Sequence, residues 1–241
     1  MIELYGLTSP NVYKVAIMLE EVGLPYRLHY VNVFAEDQYR PDFLAISPTN
    51  KVPAIVDSEG PGGKPLTLCE SGAILIYLAE KSGKLLSADP AVRATTMQWL
   101  MIQMASIGPM FGQYMHFLFF AQQVDYGIAR YRGQVTHLLE LLDRRLGEAR
   151  WIAGDDYSIA DVAVFPWVRR ATEVFPWLTE PSAGGLVSAH PNLHRWHQAA
   201  SARPATRRGI EQLETLADKT NAAFQEASDS GLDHFLLRGG G

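Results

Sequence analysis

The spacing of apolar residues changes character near residue 84, and this change constrains the fold more than any other feature of the chain. Before it, short apolar runs alternate with stretches of helical spacing; after it, helical spacing alone persists. Ile2 to Tyr5 reads as a strand. Val12, Val15, Ala16, Leu19 and Val22 then recur at intervals of three and four, a helix stopped by Gly23-Leu24-Pro25. Tyr26 to Val33 is a second predicted strand, Pro41 to Ile46 a short helix, Val52 to Asp57 a third strand and Leu66 to Cys69 a fourth. Ala73 to Lys81 is a strongly apolar helix ended by Gly83. The predicted order is β-α-β-α-β-β-α. Strands joined through a helix run parallel, whereas the turn-rich "SEGPGGK" at Ser58–Lys64 makes the third and fourth a hairpin.

"KLLSADP", Lys84 to Pro90, reads as a linker. Beyond it, helices are predicted over Val92–Phe120, Ile128–Leu146 and Ile159–Val174, with two more at His190–Ala202 and Ile210–Phe224. The expected organisation is an α/β domain over 1–83, a linker over 84–90, an all-helical domain over 91–225 and a polar, Gly-ended, frayed tail over 226–241. Within that tail Phe235-Leu236-Leu237 is the segment able to dock. Apolar residues make up 47% of the 241, enough to give both domains a core.

The net charge of -5 is spread along the chain with no Lys/Arg run, so nucleic acid is not an expected partner. The single cysteine excludes an intrachain disulfide framework and fits a reducing compartment. Met1 leads directly into a strand-like run containing Glu3 rather than into a signal peptide. The most apolar segment, Ile107 to Ala121, is interrupted by Gln113 and His116 and is too short to span a bilayer. A soluble, cytoplasmic protein with no membrane partner is expected.

Three short motifs carry chemistry. In "NKVPAIVD", Pro53 stands where a strand begins, and proline cannot donate to a ladder. A cis Val52–Pro53 bond, turning the Val52 backbone outward to pair with an extended peptide, is one reason to keep it there. A trans proline at the start of an edge strand is the other. In "CESGAILIYL", Ser71 is placed to cap a helix whose free N–H groups make a carboxylate site, and Glu70 beside it suits an ammonium. The pair fits the two charged groups of an α-amino acid; plain helix capping explains Ser71 equally. In "LTSPNVYKV", Leu7 to Val15, an active-site-like loop after the first strand contains no cysteine.

Together "TSPN…K", "FLAISPTNKVPAIVD" and "ESGAILIYLAEK", with "SIAD" at Ser158–Asp161, resemble the cytosolic glutathione transferases over roughly residues 1 to 215. The resemblance is nearest to the nu-class-like bacterial members and their fungal Ure-type relatives. It implies a thioredoxin-like N-terminal domain, an all-α C-terminal domain and a homodimer. It also implies a disulfide-bond oxidoreductase that uses glutathione or glutathione disulfide and no metal, acting on small-molecule or peptide disulfides. Conjugation of glutathione to apolar electrophiles, and a non-catalytic regulatory role, are the alternatives it leaves open. Residue by residue, it implies Glu70 and Ser71 for the γ-glutamyl end, Val52 with Pro53 for the cysteinyl backbone, and Gln38 and Lys51 for the glycine carboxylate. Arg130, with Arg132 as rival, is implied for a second glutathione. Ser9 and Asn11 are implied next to the sulfur, where they stabilise thiolate as hydrogen-bond donors, helped by the following helix N-terminus. Either residue also fits simple helix capping.

Other features point elsewhere. Tyr5 lies within the first strand, before the loop, and reads as a packed aromatic. Cys69 reads as a buried thiol at a strand end. His190, His194 and His197 lack a carboxylate or cysteine companion for a metal site. In "SIAD", Ser158 is expected to cap a helix with Asp161 reaching back to the cap N–H, a structural box.

Overall fold

The computed structural model describes residues 1–179 and 185–236. Its four strands are β1 (Ile2–Gly6), β2 (Tyr26–Tyr30), β3 (Ala54–Asp57) and β4 (Leu66–Cys69), in the sheet order β2-β1-β3-β4. β1 lies parallel to β2 and antiparallel to β3, and β4 is antiparallel to β3. The parallel pair is joined through helix α1 (Pro10–Val22), and β3 and β4 form the expected hairpin. Its Gly-rich connection works because Gly62 and Gly63 take φ of 67° and 74°, a left-handed conformation that costs glycine little.

Two predicted strands are shorter than expected, each for a local reason. β2 stops at Tyr30 because the Asn32 side chain accepts hydrogen bonds from the N–H groups of Phe34 and Ala35, at 3.1 and 3.2 Å. That curls Val33–Ala35 into a 3₁₀ turn. β3 begins at Ala54 rather than Val52, past Pro53, and the Val52–Pro53 peptide is cis. A four-residue helix, α2 (Pro41–Leu44), lies between β2 and β3.

Helix α3 (Ser71–Ser82) follows β4. After it come α4 (Pro90–Ile102), α5 (Gly108–Phe120), α6 (Asp125–Glu148), α7 (Ile159–Val174), α8 (Pro176–Thr179), α9 (Gly185–Ala189) and α10 (Pro191–Ser201). The chain continues as α11 (Pro204–Glu214), α12 (Ala217–Gln225) and α13 (Asp229–Leu236). Contacts divide the chain into two units, one of Met1–Ser82 with the chain from Pro204 on, the other Gly83–Arg203. Where chain order alone carries the helical domain on to residue 225, the helices from Pro204 pack with the α/β elements.

In the first unit α1 is buried on nearly every side, between the sheet, α3 and α11. The contact of α1 with α11 depends on Gly209: a Cβ there would stand 2.7 Å from the Ile17 Cα. The chain end is not frayed through residue 236. α13 lies along the 3₁₀ turn at 33–35, where Phe34 packs against both Phe224 and Phe235. Leu237, the last residue of the predicted docking segment, is outside the described residues.

In the second unit the predicted helix over Val92–Phe120 is real but carries a π turn at Gln103–Ile107 between α4 and α5. Pro109 accounts for it, since it has no N–H to donate and its ring clashes with the carbonyl four residues back. Trp99, Phe111 and Tyr114 are core, while Phe119 is half exposed. The capping box forms at the start of α7, with the Ser158 N–H donating to Asp161 at 3.0 Å. Among the described residues no helix is long and apolar enough to cross a membrane.

Candidate active site

Strand directions gather the sequence motifs at one end of the sheet. β1 and β2 both finish there, at Gly6 and Tyr30, which pair with each other. β3 begins there, with Ala54 opposite Tyr5, and β4 finishes there, with Cys69 opposite Ala54. Each of the four segments that cross this edge holds candidate residues: Ser9 and Asn11 after β1, Gln38 after β2, Lys51 to Pro53 before β3, and Glu70 with Ser71 after β4. The ladder between β1 and β3 runs out at the pair Tyr5–Ala54, so Val52 lies beyond its last pair.

Ser9 occupies the N-cap position of α1, with Pro10 as first helical residue and Asn11 in the first turn. The Ser9 carbonyl accepts from the N–H groups of Val12 and Tyr13, both at 3.0 Å, but its hydroxyl makes no capping bond. Capping therefore does not consume the Ser9 hydroxyl. Tyr5 stacks on His29 at 4.7 Å, and burial raises its phenol pKa, so it is a poor source of phenolate.

At α3 the cap position falls on Glu70, not Ser71. The Glu70 carbonyl accepts the first helical bond, from the Ile74 N–H at 2.9 Å, and Ser71 is already helical. Glu70 takes a φ of 70°, a left-handed conformation rare for a residue with a side chain. Strained backbone of this kind concentrates where geometry serves a site. The Glu70 side chain is exposed, whereas Ser71 is buried under the first turn.

Gln38 is 4% exposed, and among the described residues its Oε1 has no hydrogen-bond partner. Lys51 is exposed, and Ser47 pins its main chain: the Ser47 hydroxyl donates to the Lys51 carbonyl at 2.7 Å. Ser47 is a support that sequence reading missed; a lone serine before a proline gives no signal of its own.

The larger omission is Lys14. It is 0% exposed, and its ammonium donates to the Ser71 hydroxyl at 3.2 Å. Burial drives its pKa down to about 7 from 10.5, partly opposed by the Glu70 carboxylate. The available signal was a lysine set among Val12, Val15, Ala16 and Ile17 in the buried first half of a mostly apolar helix.

Arg130 is exposed on α6, in the other unit, and its assignment to glutathione rests on the resemblance alone. Its rival Arg132 lies over the Trp177 ring at 4.8 Å. Among the three histidines set aside as metal ligands, His194 bonds to Gln198 at 2.9 Å, and His197 stacks on Phe165, where burial pushes it down to about 4.

A mixed four-stranded sheet in the order β2-β1-β3-β4, with a strand edge, a helix N-terminus and opposite charges gathered at one end, defines a thioredoxin-like protein. The glutathione S-transferase N-terminal domain matches residues 8–81, and the glutathione S-transferase C-terminal domain matches residues 125–199. The chain belongs to the glutathione S-transferase family. It is 45% identical over 208 residues to the disulfide-bond oxidoreductase YfcG of Escherichia coli, covering 86% of this chain and 93% of that one. A Pseudomonas putida glutathione transferase, solved with one glutathione disulfide bound per subunit, is 47% identical, with a TM-score of 0.80 over 87% of this chain and 90% of that one. A family member from Pseudomonas fluorescens, solved with two glutathione bound, is also 47% identical, with a TM-score of 0.79 over 87% and 92%.

Proposed function

We propose that this protein is a glutathione-dependent disulfide-bond oxidoreductase. The observation that carries the reading is the loop after β1, whose reactive-group position is filled by Ser9 and Asn11 instead of cysteine, at the head of a helix. The similarity to the E. coli oxidoreductase supports it. On this reading the sulfur arrives with the substrate. One glutathione thiolate attacks a disulfide sulfur, forming a mixed disulfide and releasing one thiolate. A second glutathione thiolate then attacks the glutathionyl sulfur, giving glutathione disulfide and the second thiolate. The two released thiolates take up protons, and the electrons come from the two glutathiones.

The protein's part is to hold thiolate and orient it. A free thiol near pKa 8.5 is largely protonated at neutral pH, and donors aimed at sulfur favour its charged form. The Ser9 hydroxyl, the Asn11 amide and the N-terminus of α1 are suited to that. Glu70 takes the γ-glutamyl ammonium, and Ser71 takes its carboxylate. The Val52 backbone pairs with the cysteinyl residue beside Pro53, and Gln38 and Lys51 receive the glycine end. Arg130 is the candidate for a second glutathionyl group. Assembly as a homodimer and a cytoplasmic site of action belong to the same reading.

The test compares turnover of a small model disulfide with that of a chlorinated aromatic, both with glutathione. Disulfide reduction should dominate. Asn11→Ala should reduce it roughly tenfold or more, and Cys69→Ala should leave it close to wild type. Loss of activity in the Cys69 variant with Asn11→Ala unaffected would overturn the cysteine-free mechanism. Faster conjugation than reduction would favour a transferase acting on electrophiles.

A further inference from the structure

We propose that Lys14 is the positioning charge of the carboxylate subsite at the head of α3, and that it takes up a proton when a ligand carboxylate docks on Ser71. This rests on the reading of Glu70 and Ser71 as the γ-glutamyl site.

The geometry is direct. Lys14 is wholly buried, yet its ammonium reaches the Ser71 hydroxyl at 3.2 Å. A hydroxyl that accepts from an ammonium still has its own proton to give. Ser71 therefore relays the buried charge, donating to a carboxylate above the helix while accepting from Lys14 below. Without a ligand the charged form of Lys14 has lost its water, and burial brings its pKa down to about 7. The Glu70 carboxylate pulls the other way.

Other charged groups stand on the elements packed against α1. On α11, Glu214 takes the Tyr13 hydroxyl at 2.6 Å and Arg208 pairs with Glu20 at 2.7 Å. On β1, Glu3 is held by His29 and Arg27. On α3, Lys81 and Tyr77 are both bound to Asp57. A ligand carboxylate on Ser71 adds a negative charge one hydroxyl away from Lys14 and stabilises its protonated form. A ligand ammonium on Glu70 would offset part of the Glu70 field, so the carboxylate is the group that supplies the new charge. Binding and protonation are then linked, and each favours the other.

The consequence is a pH dependence that a packing residue would not produce. With a free-state pKa of about 7, Lys14 is charged in roughly nine-tenths of molecules at pH 6 and roughly one-tenth at pH 8. Glutathione disulfide is the probe, because it carries the γ-glutamyl carboxylate and no titrating thiol. Calorimetry in buffers of different ionisation heat should show uptake of about 0.9 proton per occupied site at pH 8 and about 0.1 at pH 6. The apparent Kd should rise about tenfold between those two values. In Lys14→Met the uptake should vanish and the affinity should become flat over the same range, about a thousandfold weaker than wild type at pH 6, the ratio that an uptake of about 0.9 proton at pH 8 requires. The wild-type measurement stands by itself if the variant fails to fold. Binding without proton uptake at pH 8, or wild-type affinity and pH profile in Lys14→Met, would overturn the proposal while leaving the glutathione site intact. Failure of glutathione disulfide to bind at any pH would overturn the site reading and this proposal with it.

Discussion

Replacing Asp161 separates two opposing forces on one buried carboxylate. Asp161 is 0% exposed, and four donors converge on it. Oδ1 accepts from the Ile152 N–H at 3.0 Å and the Trp196 indole N–H at 2.8 Å. Oδ2 accepts from the Ser158 N–H at 3.0 Å and the Ser158 hydroxyl at 3.1 Å. Burial pushes the carboxyl above its ordinary range, against the pull of these donors. Asp161→Ala strands three buried N–H donors, each worth about 1–3 kcal/mol, and removes the return half of the capping box. Because water can enter the space and the terms are not additive, the expected loss is about 3–5 kcal/mol. Asp161→Asn keeps an oxygen for Ile152 and Trp196 and turns its NH₂ towards Ser158. The hydroxyl can rotate to accept, so only the Ser158 N–H is stranded, and the expected loss is about 1–3 kcal/mol. Urea unfolding followed through tryptophan fluorescence reads both. The pH dependence carries a further signature. A raised carboxyl holds a proton in the folded state that the unfolded chain has already lost, so stability from this group falls as pH rises from the ordinary value through the folded one. Asp161→Asn should erase that slope. An Asn variant as stable as wild type would refute the reasoning, because it would mean that stranding the buried Ser158 N–H costs nothing.

Lys14 makes a second prediction, on stability rather than binding. Its folded pKa is depressed, so the penalty for burying its charge is complete below about pH 7 and is relieved as pH rises towards 10.5. Lys14→Met should therefore raise the denaturation midpoint at pH 6, with a gain that shrinks towards pH 10. Asp57 behaves in the opposite sense. Burial would raise its carboxyl, but Lys81 and Tyr77, both at 2.6 Å, outweigh burial and hold it below its ordinary value. The stability it supplies is present above pH 4 or so and is lost as pH falls through the folded value, and Lys81→Met should flatten that acid limb of a stability–pH curve. Truncation after Gln225 removes Phe235 from Phe34, an aromatic contact worth about 0.5–1.5 kcal/mol. Hydrogen exchange at 33–39 should quicken in the truncated chain, and unchanged protection there would show that α13 does not support the Gln38 segment.

Local signals made the α/β half readable. The alternation of periodicity fixed the element order, the Gly-Pro turn identified the hairpin, and the Ser158–Asp161 spacing located the start of α7 within one residue. What escaped depended on atoms distant in sequence or on side chains competing for the backbone. The end of β2 was misjudged because Asn32 takes two N–H groups that strand pairing would have used. The head of α3 was placed one residue late because Glu70 adopts a left-handed conformation that propensity would assign to glycine or asparagine. The return of α11 onto α1 turns on Gly209, which in sequence is only a helix-weakening residue. Of the candidate site, the motifs themselves were legible, because a serine, a proline and a glutamate each fall at a strand end. Their supports were not: Lys14 and Ser71 are 57 residues apart.

The absence of cysteine in the loop after β1 and the presence of a buried lysine beneath α3 bear on one physical question, how a neutral fold end holds an anionic peptide. A protein cysteine would need its own thiolate stabilised at all times. A loop offering Thr8, Ser9, Asn11 and a helix N-terminus has no thiolate of its own to stabilise before a thiol ligand arrives. Lys14 applies the same economy to the other end of the ligand. A permanently charged, permanently buried ammonium would burden the fold, whereas, on the proposal above, one with a pKa near 7 takes its full charge when a carboxylate docks. On the proposed reading, both devices let the ligand bring charge that the site then holds. Measuring proton uptake on binding separately for glutathione and for glutathione disulfide distinguishes them: the thiol end should release a proton, and the carboxylate end should take one up.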